Sequence, residues 1–199
     1  IAGAVDDRLV PLAGSYADYV GSVIEGLLAY ARQASDATSE QDVAWARSLV
    51  AAARPAMELE FALEAAVIPH SWDVELWSKI LDPKLAPEAT ELANKLCLLP
   101  IVTREPNSNR YTVHEVSRTA LRHRLHQQGR LVVYAMRAFR ALGELSPEVS
   151  VSNEIERLYH QLLADPEAGA GRLDVIWRKW TDNGRHAALN QLAVVLAEL

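Results

Sequence analysis

The stretch from Leu96 to Arg118 constrains the fold of this 199-residue chain more than any other. Leu96-Cys97-Leu98-Leu99 closes a helical pattern, and β-branched or aromatic residues follow at Ile101, Val102 and Tyr111 to Val113. Between them lies Pro106-Asn107-Ser108-Asn109, a run of turn formers, so the segment predicts a β-hairpin. From Glu115 the apolar positions change to Val116, Ala120, Leu121 and Leu125, the three-to-four spacing of a helix. A single hairpin therefore stands between two helices, and His114 sits where its second strand becomes the next helix.

Outside the hairpin, strand formers are scarce and Ala, Leu, Glu and Arg dominate, which predicts a mainly α fold with a minimal sheet. Hydrophobic residues make up 50% of the chain, ample for one large or two small cores. A net charge of −6 weighs against a protein whose main task is gripping a polyanion. Cys97, flanked by Leu96 and Leu98, reads as a small buried hydrophobe; a single cysteine allows no internal disulfide, as expected in a reducing cytoplasm. The sequence has neither a signal peptide nor an apolar run of about 18 residues, so no membrane span is expected. It opens on Ile1 instead of Met, the expectation for a segment of a longer protein.

Along the chain, residues 1–55 read as a helical segment of unassigned role: one helix over 8–33, then a second capped by Thr38 or Ser39 and ended by Pro55. Pro55 would open a new helix through Leu59, Ala62, Leu63 and Ala66, stopped by Pro69. Asp73 is a good N-cap for a helix over 74–81, which Asp82-Pro83 ends. Pro87 starts the next, with Leu92, Leu96 and Leu99 as its buried stripe. Three helices, a two-stranded wing and a helix headed by His114 make residues 56–128 a winged helix. Residues 129–199 then read as α-helical hairpins, the start of a TPR-like array: Leu131 to Leu142, a linker from Gly143 to Ser150, Ile155 to Leu163, Leu173 to Trp180, and Arg185 to Leu199. The apolar end, Ala193 to Leu199, is expected to leave hydrophobic surface exposed.

Phe61-Ala62-Leu63-Glu64-Ala65-Ala66-Val67-Ile68-Pro69-His70-Ser71-Trp72-Asp73, the following Leu76-Trp77, the hairpin, and Tyr111-Thr112-Val113-His114-Glu115-Val116-Ser117-Arg118 together resemble the winged-helix domain of STAND (NB-ARC-like) signalling NTPases. Glu154-Ile155-Glu156-Arg157-Leu158-Tyr159-His160 through Glu167 resembles the start of the helical arm that follows in bacterial members. In that family a Met-His-Asp signature follows the wing, and its histidine reaches the β-phosphate of bound ADP. Here Val113, His114 and Glu115 stand at those positions, so the histidine is kept and its neighbours differ. The resemblance implies a nucleotide-sensing role for His114, ADP or ATP as cofactor of the longer protein, and an NTPase domain upstream in the same chain. A histidine at a helix N-terminus suits this, because the first-turn N–H groups favour an anion. A hydrogen-bonded structural histidine is the equally open reading of the same position.

No G-x-x-x-x-G-K-[ST] occurs, because Gly14, Gly21 and Gly26 are not followed by Gly-Lys, so no cofactor is expected in this segment itself and no ATPase activity. Other enzymatic patterns fail in turn. His123 and His126 have no nearby further zinc ligands, and Arg118 replaces the second histidine of an H-E-x-x-H helix, so no metal site is expected. The tryptophans suit packing, with Trp177 and Trp180 a candidate partner-facing pair.

The alternative is a winged-helix DNA-binding transcriptional regulator. Its recognition helix, however, offers only Lys95 beside Glu88 and Glu91, poor chemistry for phosphates and base edges, so nucleic acid is disfavoured. The basic residues cluster later: Arg118, Arg122 and Arg124 are candidate anion or partner contacts. The expectation is a non-catalytic regulatory module that couples nucleotide state to a helical, protein-binding arm.

Overall fold

The computed structural model describes residues 40–106, 108–145 and 150–199. The helix expected over 8–33 and its neighbouring cap at Thr38 or Ser39 lie outside them. Within them the chain is mainly helical, with one two-stranded antiparallel sheet.

Helix α1 (Glu40–Ala66) runs straight through Pro55, where the sequence predicts a break. Proline removes one backbone hydrogen bond and crowds the preceding turn, at a cost of about 3 kcal/mol in a helix interior. Two features oppose that cost. Arg54 and Glu58 pair across the proline at 2.6 Å, and the second half of the helix buries Met57, Phe61, Ala62, Ala65 and Ala66 in the core. Tertiary burial outweighs the local preference.

Helix α2 (Val74–Ile80) begins where predicted, with Asp73 accepting from the Leu76 N–H at 2.8 Å. A 3₁₀ turn (Ala86–Glu88) leads into α3 (Ala89–Leu96), which is shorter than the sequence suggests. Cys97 therefore falls just past the helix end and is exposed, contrary to the expected burial, while Leu92, Ala93 and Leu96 hold the buried stripe. Strands β1 (Val102–Arg104) and β2 (Tyr111–Val113) pair with Val102 opposite Val113 and Arg104 opposite Tyr111. Trp72 extends the sheet by one residue: its N–H donates to the Tyr111 carbonyl at 2.9 Å, and the Tyr111 N–H donates back at 2.7 Å. The Trp72 ring stacks on Tyr111 and leans on Trp77, so the hairpin is anchored to the helices by aromatic packing.

Helix α4 (Glu115–Gln127) ends at Gly129, whose φ of +69° is the left-handed conformation that favours glycine. Its apolar burial comes from the far half, where Leu125 is buried; Val116 and Ala120, apolar in the pattern, are exposed, and the buried residue of the near half is Arg118. Helix α5 (Leu131–Leu145) continues through Gly143, where the sequence predicts a linker. The Arg157 guanidinium lies 2.9 Å from where a Cβ at Gly143 would stand, so this part of α5 is packed surface. Residues 146–149 of the expected linker are outside the described residues.

Helices α6 (Val151–Ala164), α7 (Pro166–Asp182) and α8 (His186–Leu196) complete the chain. Asp165 caps α7 by accepting from the Ala168 N–H at 3.0 Å, with Pro166 in the first turn, so the helix begins seven residues before Leu173, where the sequence reading starts it. Two hydrophobic cores result. The first gathers α1 to α5 and the hairpin; the second gathers Ile155, Leu158, Ile176, Trp180, Ala188 and Leu192. The first core includes Leu131, Tyr134 and Ala138 of α5, so hydrophobic continuity runs past residue 128, where the sequence reading divides the chain. Trp180 is fully buried while Trp177 is exposed, which separates the candidate partner-facing pair. Val194 and Leu199 are exposed near the apolar end, as expected there.

Candidate functional site

His114 takes its place from the sheet and the helix together. Its N–H donates to the Ile101 carbonyl at 2.7 Å, continuing the ladder, and its carbonyl accepts the Arg118 N–H at 2.9 Å, opening α4. The residue is the N-cap of α4, yet its imidazole makes no capping hydrogen bond and is exposed. Beside it, Glu115 accepts from Thr119 Oγ1 at 3.2 Å and pairs with Arg118 at 3.1 Å. Slight burial pushes the Glu115 carboxyl up, but the Arg118 charge prevails and holds it below the usual range.

The candidate basic residues turn inward, onto carboxylates of this same chain. Arg118 is only 3% exposed and donates from Nη2 to Glu198 Oε2 at 2.6 Å. Arg122 lies 3.6 Å from the same oxygen, with its guanidinium over the Tyr159 ring at 5.0 Å. Arg124 serves a different cluster, reaching Glu60 at 3.0 Å and Glu64 at 3.3 Å. Arg118 and Arg122 present no open cationic face, whereas the Arg124 side chain, though paired, stays 41% exposed. His123, at 2.9 Å from Gln127, and His126 lie on the exposed side of α4.

Around Arg118 lies a network that joins the two cores. His70, in the connection from α1 to α2, donates its N–H to Glu156 Oε1 at 2.9 Å. Its Nδ1 lies 2.6 Å from Glu156 Oε2, and its Nε2 lies 3.1 Å from Glu198 Oε2. Ionised carboxylates only accept, so the His70 ring satisfies both contacts as an imidazolium. Burial pulls its pKa down, but hydrogen bonding and the charge of Glu156 raise it above the ordinary value. Fully buried His160 meets Glu156 through Nε2 at 3.0 Å. Burial would raise the Glu156 carboxyl, and hydrogen bonds from His160 and His70 instead hold it far below the usual carboxylate range. The His70 and Tyr159 rings also touch, with centroids 4.9 Å apart.

A second buried cluster lies wholly inside the first core. Glu64 is 1% exposed and accepts from Arg130 Nη1 at 2.9 Å and from the Tyr134 hydroxyl at 3.2 Å, beside Arg124. Burial raises its carboxyl despite the two arginines. The Arg130 guanidinium also lies over Phe61, 4.2 Å from the ring centre.

Sequence reasoning singles out His114 and the arginines but misses His70, Glu156, Tyr159, Glu198 and Glu64 as functional partners. His70 stands between Pro69 and Ser71 with no local motif, and its partners lie 86 and 128 positions away. Among the described residues no group of His, Cys, Asp and Glu is arranged to hold a metal ion, and no helix is long and apolar enough to cross a membrane. No protein-family model, curated protein or solved structure matches this chain.

Proposed function

We propose that this chain is a non-catalytic regulatory and protein-interaction module of a larger nucleotide-dependent signalling ATPase, with residues 56–128 as its winged helix and the last helices as the start of a TPR-like arm. The observation that carries this reading is the placement of His114: an exposed imidazole, without a capping bond, at the head of a 13-residue helix. The first N–H groups of a helix lack intrahelical partners and favour a nearby anion, so His114 and this helix start fit one phosphate of a nucleoside diphosphate. The rest of a nucleotide cradle belongs on the NTPase domain that this reading places upstream in the same chain. ADP or ATP would supply the signal there, and His114 would donate to it.

A route from nucleotide to arm accompanies that contact. Arg118 stands one helical turn beyond His114 and, with Arg122, is tied to Glu198 just past α8, so a displacement of the α4 start would reach the last helices through that carboxylate. The DNA-binding alternative is weakened, because Lys95 on α3 is paired with Glu91 at 2.6 Å. Protein partners would meet the helical arm, in the cytoplasm.

The test is the nucleotide content of the longer protein. His114→Ala should lower the ADP retained through purification by about tenfold, the effect of losing one charge-assisted hydrogen bond. Equal retention in wild type and variant would leave His114 as a structural residue.

A further inference from the structure

Glu198 holds an unusual position. It lies beyond the end of α8, in a turn whose Glu198 N–H makes only a long bond, 3.3 Å, to the Val195 carbonyl. Its carboxylate nevertheless reaches into the junction between the cores. Arg118 Nη2, His70 Nε2 and Arg122 Nη1 converge on its Oε2 at 2.6, 3.1 and 3.6 Å. The socket is more buried than its occupant: Arg118 is 3% exposed and Tyr159 fully buried, whereas the Glu198 side chain is 31% exposed.

The fit is also incomplete. Arg118 Nε and the Tyr159 hydroxyl are both buried without a well-formed hydrogen bond, although Arg122 lies against the tyrosine ring. A carboxylate has two oxygens, and here Oε2 meets all three cationic groups while Oε1 meets only His70 Nε2, at 3.2 Å. A phosphate-type anion brings more acceptors and a larger charge, and charge-assisted bonds to arginine are the strong kind.

Removing Glu198 would leave these cations poorly matched. Glu156 remains with His70, but Arg118 would keep only Glu115, whose side chain is 65% exposed. A buried arginine without a counter-charge is costly, so an emptied socket draws in an anion.

We propose that Arg118, Arg122, His70 and Tyr159 form an oxyanion-binding site, that Glu198 is its built-in occupant, and that a phosphate group replaces this carboxylate when the turn after α8 withdraws. Glu198 is then a plug that closes the site and fastens the end of the chain after α8 to Arg118 and Arg122 of α4. Any phosphate that enters trades against that fastening. The site is separate from His114, and its existence does not require that His114 touch a nucleotide.

The experiment uses inorganic phosphate as probe, titrated by calorimetry into wild type, Glu198→Ala and Glu198→Gln, with chloride at matched ionic strength as control. Glu198→Ala should bind phosphate at least about tenfold more tightly than wild type, with Glu198→Gln between them because its amide still fills the socket. Adding Arg122→Gln to Glu198→Ala should remove about tenfold of that affinity. Because Glu198→Ala exposes Arg118 to imbalance, its melting temperature is read alongside: phosphate should restore it, and chloride should not. Equal phosphate affinity in wild type and Glu198→Ala, or affinity in Glu198→Ala that is indifferent to Arg122→Gln, would overturn the proposal.

Discussion

Glu64 and Glu156 are both carboxylates taken out of water, and the chain treats them in opposite ways. Glu64 is enclosed by Arg124, Arg130 and Tyr134, all within the first core, and its burial raises its pKa despite two arginines. Glu156 meets two histidines, His70 from the first core and His160 from its own helix, and its pKa is driven down. The first cluster fastens α1 to α4 and α5. The second fastens one core to the other; each leaves a buried nitrogen without a hydrogen bond, Arg124 Nε in the first and His160 Nδ1 in the second. A cluster confined to one core serves the stability of that core; one that bridges two cores through titratable rings can be disengaged.

The sharpest way to break this contrast is Arg130→Met. It strips Glu64 of its closest cation in a nearly solvent-free site, and stability should fall by about 3 kcal/mol, because the buried carboxylate keeps only the more distant Arg124 and the Tyr134 hydroxyl. Urea unfolding with an unchanged slope would measure it. A loss under about 1 kcal/mol would place this cluster with ordinary surface pairs.

Glu156→Gln should cost less, about 2 kcal/mol, since the amide keeps some of the hydrogen bonds. Its effect should also be local. Amide exchange should quicken in α6 to α8 while α1 to α5 keep their protection. Uniform loss of protection across both cores would mean that the junction is not a separable element.

The smallest effect belongs to pH. His70 has a raised pKa in the fold, so its stabilisation is complete below the unfolded value near 6.5 and is lost as pH rises through the raised folded value. Glu156 has a lowered pKa, so its contribution is complete above about 4.5 and is lost as pH falls toward its depressed value. The junction should therefore be strongest between these limits. Melting temperatures taken from about pH 5 to pH 9 should decline at the alkaline end in wild type, and His70→Asn should flatten that decline. An identical alkaline slope in His70→Asn would remove His70 from the account.

Much of the fold was legible because its signals are local. Asp73 caps the helix that the sequence assigns to it, the residues on either side of the predicted turn pair as two strands, and His114 stands at the strand-to-helix junction. The failures share a cause. Pro55 lies within a helix because distant apolar residues bury its second half, and Gly143 stays helical under Arg157. Cys97 is exposed because α3 ends one residue before it. In each case packing from elsewhere, or a boundary shifted by a residue, overrides the local preference.

The candidate site divides the same way. Sequence located the basic residues of α4 but not their direction, because Arg118 and Arg122 face inward only when Glu198 and Tyr159 come against them. Trp177 and Trp180 look alike at helical spacing, yet Trp180 is fully buried and Trp177 is exposed once α6 and α8 pack against α7.

By itself, then, the sequence determined the helix-rich class, the hairpin between α3 and α4, the Asp73 cap and the position of His114, since each depends on residues within a turn or two of one another. Tertiary structure alone decided which charges meet. His70, Arg118, Glu156 and Glu198 come from four separate elements, and no periodicity records a pairing across 86 or 128 residues. An ion pair of that kind exists only after the hydrophobic faces have chosen their partners, because burial first brings the charges together and then makes their neutralisation necessary.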